Sequence, residues 1–84
     1  MKVRYFAWMK RIVGVPEEDV TPPAEVKTVG DLVAWLRDRS AGHAEALAEG
    51  AAFGAAVDQR TATFDIGIAG AREVAFFPPF TGGW

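Results

Sequence analysis

The order of apolar and polar positions along the 84-residue chain predicts a hairpin first, then helices, then further strands. Residues 2–8 alternate between apolar and polar side chains, a period of two that is typical of a strand. Gly14 and Pro16 then indicate a turn. Residues 17–21 suit a short, polar edge strand, which the next two prolines end. The chain therefore begins with a predicted β-hairpin.

The segment that follows residue 28 predicts the main helix. Thr28 and Asp31 are spaced as in a capping box, with an aspartate in place of the usual glutamate. Four apolar residues then recur at helical spacing, namely Val29, Leu32, Val33 and Leu36. Gly42 closes the segment. Trp35 lies off the apolar stripe, so it is expected either to flank the core or to face a partner.

The rest of the chain predicts a short helix and the remaining strands. Residues 43–51 are rich in alanine and glutamate and suit a second helix that ends at Gly50. A turn region is expected at 65–70. Three further strands are expected, at 53–57, 61–64 and 72–77. A hairpin, a helix and then strands define an α+β fold in which a sheet packs one main helix on one face.

Strand alternation also predicts an aromatic outer face of the sheet. If Val74 and Phe76 point into the core, Phe77 lies on the opposite face. By the same argument Phe6 and Trp8 lie outside in the first strand. An exposed apolar patch of this kind is typical of an interaction surface. The alternative is that the second helix or a loop covers these side chains.

Composition and charge exclude several function classes. The length suits one domain, and half of the residues are apolar, as in globular proteins. Nine basic and eleven acidic residues give a net charge of −2, and no basic run exceeds the pair Lys10-Arg11. This balance argues against nucleic acid or an anionic membrane as the main partner. No apolar segment has the length of a signal or a membrane span, so a cytoplasmic protein is expected.

The chemistry available to the side chains is narrow. There is no cysteine, which excludes disulfides, thiolate nucleophiles and cysteine-based metal sites. His43 is the single histidine, so neither a histidine metal triad nor a Ser-His-Asp constellation exists, and no metal site is expected. His43 itself is expected at the surface or at the end of a helix, since its neighbours suit the start of one.

The last residues, FFPPFTGGW, carry the most specific pattern. Pro78 and Pro79 cannot donate to a sheet ladder and favour extended geometry, so the strand stops and the chain projects from the domain. Phe80 can fill a pocket. Gly82 and Gly83 lack Cβ atoms, so the backbone there can enter a channel too narrow for other residues. This pattern predicts a terminus inserted into another protein's active site.

Three segments together resemble a known family: MKVRYFAWMKRIVG, TVGDLVAWLRDR and above all EVAFFPPFTGG. They closely resemble the MoaD-type small subunit of molybdopterin synthase, a ubiquitin-like sulfur carrier of the MoaD/ThiS family. The resemblance covers essentially the whole chain. It implies a β-grasp domain at 1–77, with a mixed sheet of four to five strands on one main helix plus a short second helix. Residues 78–84 would form an extended functional tail.

The resemblance also implies a function. In that family an adenylating enzyme of the MoeB type uses ATP to convert the terminal glycine carboxylate to an acyl adenylate, and sulfur transfer then yields a thiocarboxylate. The tail enters the large MoaE-type subunit, where the sulfur passes to a pterin precursor in molybdenum cofactor biosynthesis. Two small and two large chains are implied. The chain would bind no cofactor by itself, and the catalytic side chains would belong to its partners.

Family roles are carried over by position. Gly83 matches the glycine that is activated, and Gly82 precedes it. Phe6 matches an exposed aromatic of the first strand that contacts partners, and Lys10 falls where a basic residue is common near the first turn, although a solvated lysine is the simpler interpretation. The docking tail is matched by Phe77, Pro78, Pro79, Phe80 and Thr81.

Trp84 departs from the family pattern, because it places the carboxylate of Gly83 in a peptide bond. Three interpretations stay open. A peptidase removes Trp84 from a precursor, or the carrier tolerates the extension or has a divergent activating enzyme. In the third, the chain is a binding or regulatory paralogue that docks on a partner without sulfur transfer. A sulfur carrier for thiamin or cysteine synthesis is a further alternative, and no feature favours protein conjugation.

Overall fold

The computed structural model describes residues 1–79, and within them the predicted α+β class is confirmed. Three helices are present in this part of the chain, whereas the sequence predicted one main and one short helix. In chain order the elements are β1 (Lys2–Tyr5), α1 (Trp8–Val13), β2 (Glu17–Asp19), α2 (Val29–Arg37), α3 (Ala41–Ala46), β3 (Gly54–Val57), β4 (Arg60–Ala62) and β5 (Glu73–Phe77).

The five strands of the described residues form one mixed sheet in the order β2-β1-β5-β3-β4. The first and last strands of the sequence, β1 and β5, run parallel side by side near its centre, with Tyr5 opposite Phe76. The pairs β1–β2, β3–β5 and β3–β4 are antiparallel. The predicted position of β2 at an edge is confirmed. The strand that leads into the C-terminal tail is therefore held on both sides.

The core lies between one face of this sheet and α2. Val74 and Phe76 of β5 are completely buried, which confirms the predicted alternation of that strand. The four apolar residues of the α2 stripe are buried as well. Trp35 is partly buried against the core, with the Arg39 guanidinium carbon 5.3 Å from the centre of its ring. It therefore flanks the core, the first of the two alternatives.

The start of α2 has the predicted capping box. The Thr28 hydroxyl accepts a hydrogen bond from the backbone N–H of Asp31 at 3.1 Å, and the Asp31 carboxylate accepts one from Thr28 N–H at 3.3 Å. The next two donors, the N–H groups of Val29 and Gly30, bond to carbonyls of the β4–β5 connection at 3.0 and 2.8 Å. The helix start is therefore satisfied locally and also joined to a distant loop.

The predicted first strand over residues 2–8 is wrong beyond Tyr5. Ala7 has a φ of 54°, outside the β region, and Trp8 begins α1. The buried Met9 and the partly buried Trp8 reach the core from this helix, and Gly14, with a φ of 102°, ends it. Apolar residues at 8, 9, 12 and 13 are spaced for a helix, and their burial outweighs continued alternation. Trp8 is therefore no part of the outer face.

The remaining predicted bounds differ in detail. The second helix spans Ala41–Ala46 instead of 43–51, because Ser40 caps it: the Ser40 hydroxyl accepts the backbone N–H of His43 at 3.1 Å. Gly42 does not close α2, which ends at Arg37. It lies within α3 and allows this helix to lie close to α1, since a Cβ there would collide with the carbonyl oxygen of Ile12. The bounds of the later strands differ from the predicted ones by one or two residues at an end: β3 and β5 each begin one residue later, and β4 begins one residue earlier and ends two residues earlier.

Candidate functional site

An exposed aromatic lies on the outer face of the sheet, directly beside the start of the tail. Phe6 is 40% exposed, and its backbone N–H donates to the carbonyl of Phe76 at 3.1 Å, which continues the parallel pairing of β1 with β5 by one residue. Residues in register share a face, so Phe6 is placed alongside Phe77. The prediction that both phenylalanines belong to the outer face agrees with this register.

Phe77, the last residue of β5, is half-buried against β3. It is paired with Gly54, and the missing side chain of that glycine leaves the space that the Phe77 ring occupies. A Cβ at position 54 would lie 2.5 Å from Cε1 and 2.9 Å from Cζ of that ring. Pairing with β3 on one side and β1 on the other therefore fixes the point from which the tail leaves the domain.

The tail begins as the sequence predicts, with β5 ending immediately before two prolines. Pro78 is half-buried and Pro79 is exposed. The remaining predicted site residues lie outside the described residues: Phe80, Thr81, Gly82, Gly83 and Trp84.

Arg4 is a member of this outer face whose role sequence reasoning missed. Its guanidinium carbon lies 5.2 Å from the centre of the Phe6 ring, within the range of a cation–π contact. The same group is 3.8 Å from Glu17 and 3.7 Å from Glu73, so ion pairs hold it beside the ring. Lys2 is 3.1 Å from Glu17, and the hydrogen bond to that carboxylate raises the pKa of the lysine. The available signal was the spacing of the two residues, since Arg4 is two positions before Phe6 and alternation puts both on one face.

Lys10 lies in the last turn of α1 with an exposed side chain. Within residues 1–79 it makes no ion pair, whereas its backbone carbonyl accepts the N–H of Gly14 at 2.9 Å. Its amine is therefore available to an acidic group of a partner. The structure places it on α1, just before the turn that begins at Gly14, and its contact with a partner stays a prediction.

The sequence predicted His43 at the surface or at the end of a helix. It lies in the first turn of α3, which confirms the second location, and it is only 7% exposed, so the first is wrong. Its Nε2 is 2.6 Å from the Glu18 carboxylate, and its Nδ1 is 2.7 Å from the Ser40 hydroxyl. Since a carboxylate can only accept, Nε2 carries the proton of that bond. The Tyr5 hydroxyl donates to the same Glu18 oxygen at 2.7 Å.

Burial and hydrogen bonding have opposite effects on the pKa of Glu18 in this cluster. Partial burial acts to raise the pKa of Glu18, but the hydrogen bonds from His43 and Tyr5 outweigh it, and the pKa lies below its ordinary value. Burial and the bond to Glu18 both raise the pKa of Tyr5. The cluster joins β1, β2 and α3 and is structural.

Two other kinds of feature are absent from the described part of the chain. No group of three potential metal ligands occurs in residues 1–79, and none of their helices is long and apolar enough to cross a membrane.

These features define a class: a ubiquitin-like β-grasp domain whose central strand leads into a Pro-Pro and Gly-Gly tail. The ThiS family profile matches residues 3–83, and the chain belongs to the ThiS family. It is 39% identical over 83 residues, 99% of each chain, to the molybdopterin synthase sulfur carrier subunit of Escherichia coli strain K12. The resemblance to the MoaD-type small subunit is thereby confirmed.

Two solved structures share the fold. One is a putative molybdopterin converting factor, subunit 1, from Pyrococcus furiosus, with a TM-score of 0.72, 29% identity, and coverage of 94% of this chain and 95% of that one. The other is SAMP1 from Haloferax volcanii, with a TM-score of 0.70, 24% identity, and coverage of 99% and 98%. The second likeness concerns the fold alone. The β-grasp prediction is confirmed.

Proposed function

We propose that this chain is the sulfur carrier subunit of molybdopterin synthase in molybdenum cofactor biosynthesis. The observation that carries the proposal is the position of Phe6, exposed on the outer face at the point where Phe77 ends β5 and the tail leaves. A partner that receives the tail would contact this aromatic at the same time. Identity of 39% with the Escherichia coli carrier over nearly the whole chain supports the same function.

The chemistry proposed for the tail takes place at the carboxylate of Gly83. An oxygen of this group attacks the α-phosphorus of ATP, pyrophosphate leaves, and an acyl adenylate forms on a MoeB-type enzyme. Sulfide released by a sulfur donor then attacks the acyl carbon, the acyl–phosphate bond breaks, AMP leaves, and the product is a thiocarboxylate. The chain supplies no side chain to either step, which agrees with its lack of cysteine. Gly82 and Gly83 let the backbone pass the narrow channels of both partners.

Trp84 is the feature that the proposal must accommodate. An amide carbonyl cannot be adenylated as a carboxylate can, so we propose that a peptidase removes Trp84 before activation. The trimmed tail, from Phe77 through Pro78, Pro79, Phe80 and Thr81 to Gly83, then enters the MoaE-type large subunit. We place this assembly in the cytoplasm. The chain acts there as a non-catalytic subunit, and Lys10 is a candidate for a contact with an acidic group of a partner.

Reconstitution with purified proteins tests the carrier role. Full-length protein and protein ending at Gly83 are incubated with the activating enzyme, ATP and a sulfur donor, and intact mass is measured. We expect one oxygen to be replaced by sulfur in the shorter protein alone, and no replacement when Gly83 is deleted. Intact mass of the protein from its native cells then shows whether Trp84 is removed there.

The alternatives give different results in the same experiment. A binding or regulatory paralogue would bind the large subunit and acquire no sulfur in either form. A divergent activating enzyme would load the full-length protein as well. A carrier for thiamin or cysteine synthesis would be loaded but would not support molybdopterin formation.

The outer face has its own matched test. Phe6→Ala should weaken binding to the large subunit by about 30-fold or more, since truncating a central aromatic of an interface costs roughly 2 kcal/mol or more. Phe64, 42% exposed on the β4–β5 connection, is the control, because Phe64→Ala removes an equally exposed ring from another part of the surface. Equal binding by the two variants would contradict the proposed contact.

A further inference from the structure

A neighbouring side chain, and not the backbone conformation of residue 54, explains why position 54 is a glycine. Gly54 does not have a positive φ, so its conformation is open to other residues. A glycine in a strand lowers β-stability and often marks a close approach of another group. The group that approaches here is the ring of Phe77, three of whose carbons would lie within 3.3 Å of a Cβ on residue 54.

The strand order makes this contact relevant to the tail. β5 lies between β3 and β1, so Phe77 has Gly54 on one side and Phe6 on the other. A ring displaced from Gly54 must rotate to another staggered position. That movement changes the aromatic surface beside the tail.

We propose that Gly54 is a positioning residue for the tail. The space above it fixes the position of the Phe77 ring and so sets the direction in which Pro78 and Pro79 leave β5. The proposal rests on the proposed function, since the tail must reach a partner's active site. Residues 78–83 span at most ~20 Å when extended, so an error of direction at Phe77 is magnified at Gly83.

The first experiment uses the protein alone and is independent of its function. Nuclear Overhauser contacts between the Phe77 ring protons and the α-protons of Gly54 are expected in the full chain. Their absence would overturn the inference, whatever the protein does.

The second experiment uses protein ending at Gly83 and loaded as the thiocarboxylate, together with the large subunit and pterin precursor. Gly54→Ala should lower kcat of sulfur transfer roughly 10- to 100-fold at saturating large subunit, the range expected for a misplacement of about 1 Å. Alkylation of the thiocarboxylate by a small reagent should be unchanged. Gly67→Ala is the matched control, because a Cβ there meets only the Lys27 carbonyl at 3.7 Å, and kcat should stay within about twofold.

A double-mutant cycle separates positioning from a general loss of structure. Phe77→Leu should lower kcat, and adding Gly54→Ala to it should lower kcat no further, since the ring is already gone. Equal effects of Gly54→Ala in both backgrounds, or a wild-type kcat for the folded single variant, would overturn the inference. If Gly54→Ala does not fold at the assay temperature, a wild-type kcat for Phe77→Leu would overturn it instead.

Wild-type protein separates this inference from the proposed function. If the loaded wild-type chain transfers no sulfur, the proposed function fails, and with it the role of Gly54 in the tail. If wild type transfers sulfur and the cycle shows no coupling, only the inference about Gly54 fails.

Discussion

Replacing Glu18 with alanine should destabilise the domain more than any other change to a charged group of the sheet edge. The Glu18 carboxylate accepts hydrogen bonds from Tyr5 at 2.7 Å, His43 at 2.6 Å and Arg39 at 3.3 Å. Tyr5 and His43 are almost completely buried, so their donors would lose an acceptor in a place that water reaches poorly. Each unsatisfied buried donor costs about 1–3 kcal/mol.

The expected total is about 2–4 kcal/mol, because the edge position of β2 lets water replace part of the lost bonding. For a domain of this size each kcal/mol lowers Tm by roughly 4–8 °C, so Glu18→Ala should melt about 8–30 °C lower. Urea unfolding followed by tryptophan fluorescence measures the free energy directly. The matched control is Glu17→Ala, which removes exposed ion pairs and should leave the free energy of unfolding nearly unchanged. Similar losses in both variants would refute the reasoning.

Three further predictions concern stability. The stabilisation from Glu18 should be present above pH 4.5, its ordinary pKa, and be lost as pH falls through its lower folded pKa. The free energy of unfolding should therefore fall less steeply with decreasing pH in Glu18→Gln than in the wild type. Equal slopes below pH 4.5 would contradict this. Thr28→Ala should lose about 1 kcal/mol by removing the cap of α2, whereas Thr28→Ser should retain most of it in the same urea assay. Gly42→Ala should cost about 1–3 kcal/mol, because its Cβ meets the Ile12 backbone; a change as small as that of Gly67→Ala would contradict the contact.

The main helix and the alternation of the last strand could be predicted because their causes are local. Thr28 and Asp31 are three residues apart, so the capping box forms from neighbours in the sequence. The two faces of β5 follow from the pleat of any strand, which put Val74 and Phe76 on one side and Phe77 on the other.

The first turn of the chain shows where local patterns compete. Residues 6–9 satisfy both the alternation of a strand and the spacing of a helix. In the structure Ala7 has a positive φ and α1 follows. The helix buries Met9 in the core and packs against α3, and a longer β1 would point these side chains in other directions. This choice depends on packing that only the folded chain provides.

By itself the sequence determined the class of fold, the main helix and the two faces of β5. Tertiary structure decided which residues meet: Glu18 with His43 across 25 positions, Arg4 with Glu73, and Phe77 with Gly54. The reason is physical. Local periodicity sets the direction in which a side chain points, but the strand order β1-β5-β3 sets what it points at, and that order results from burying one face of the whole sheet.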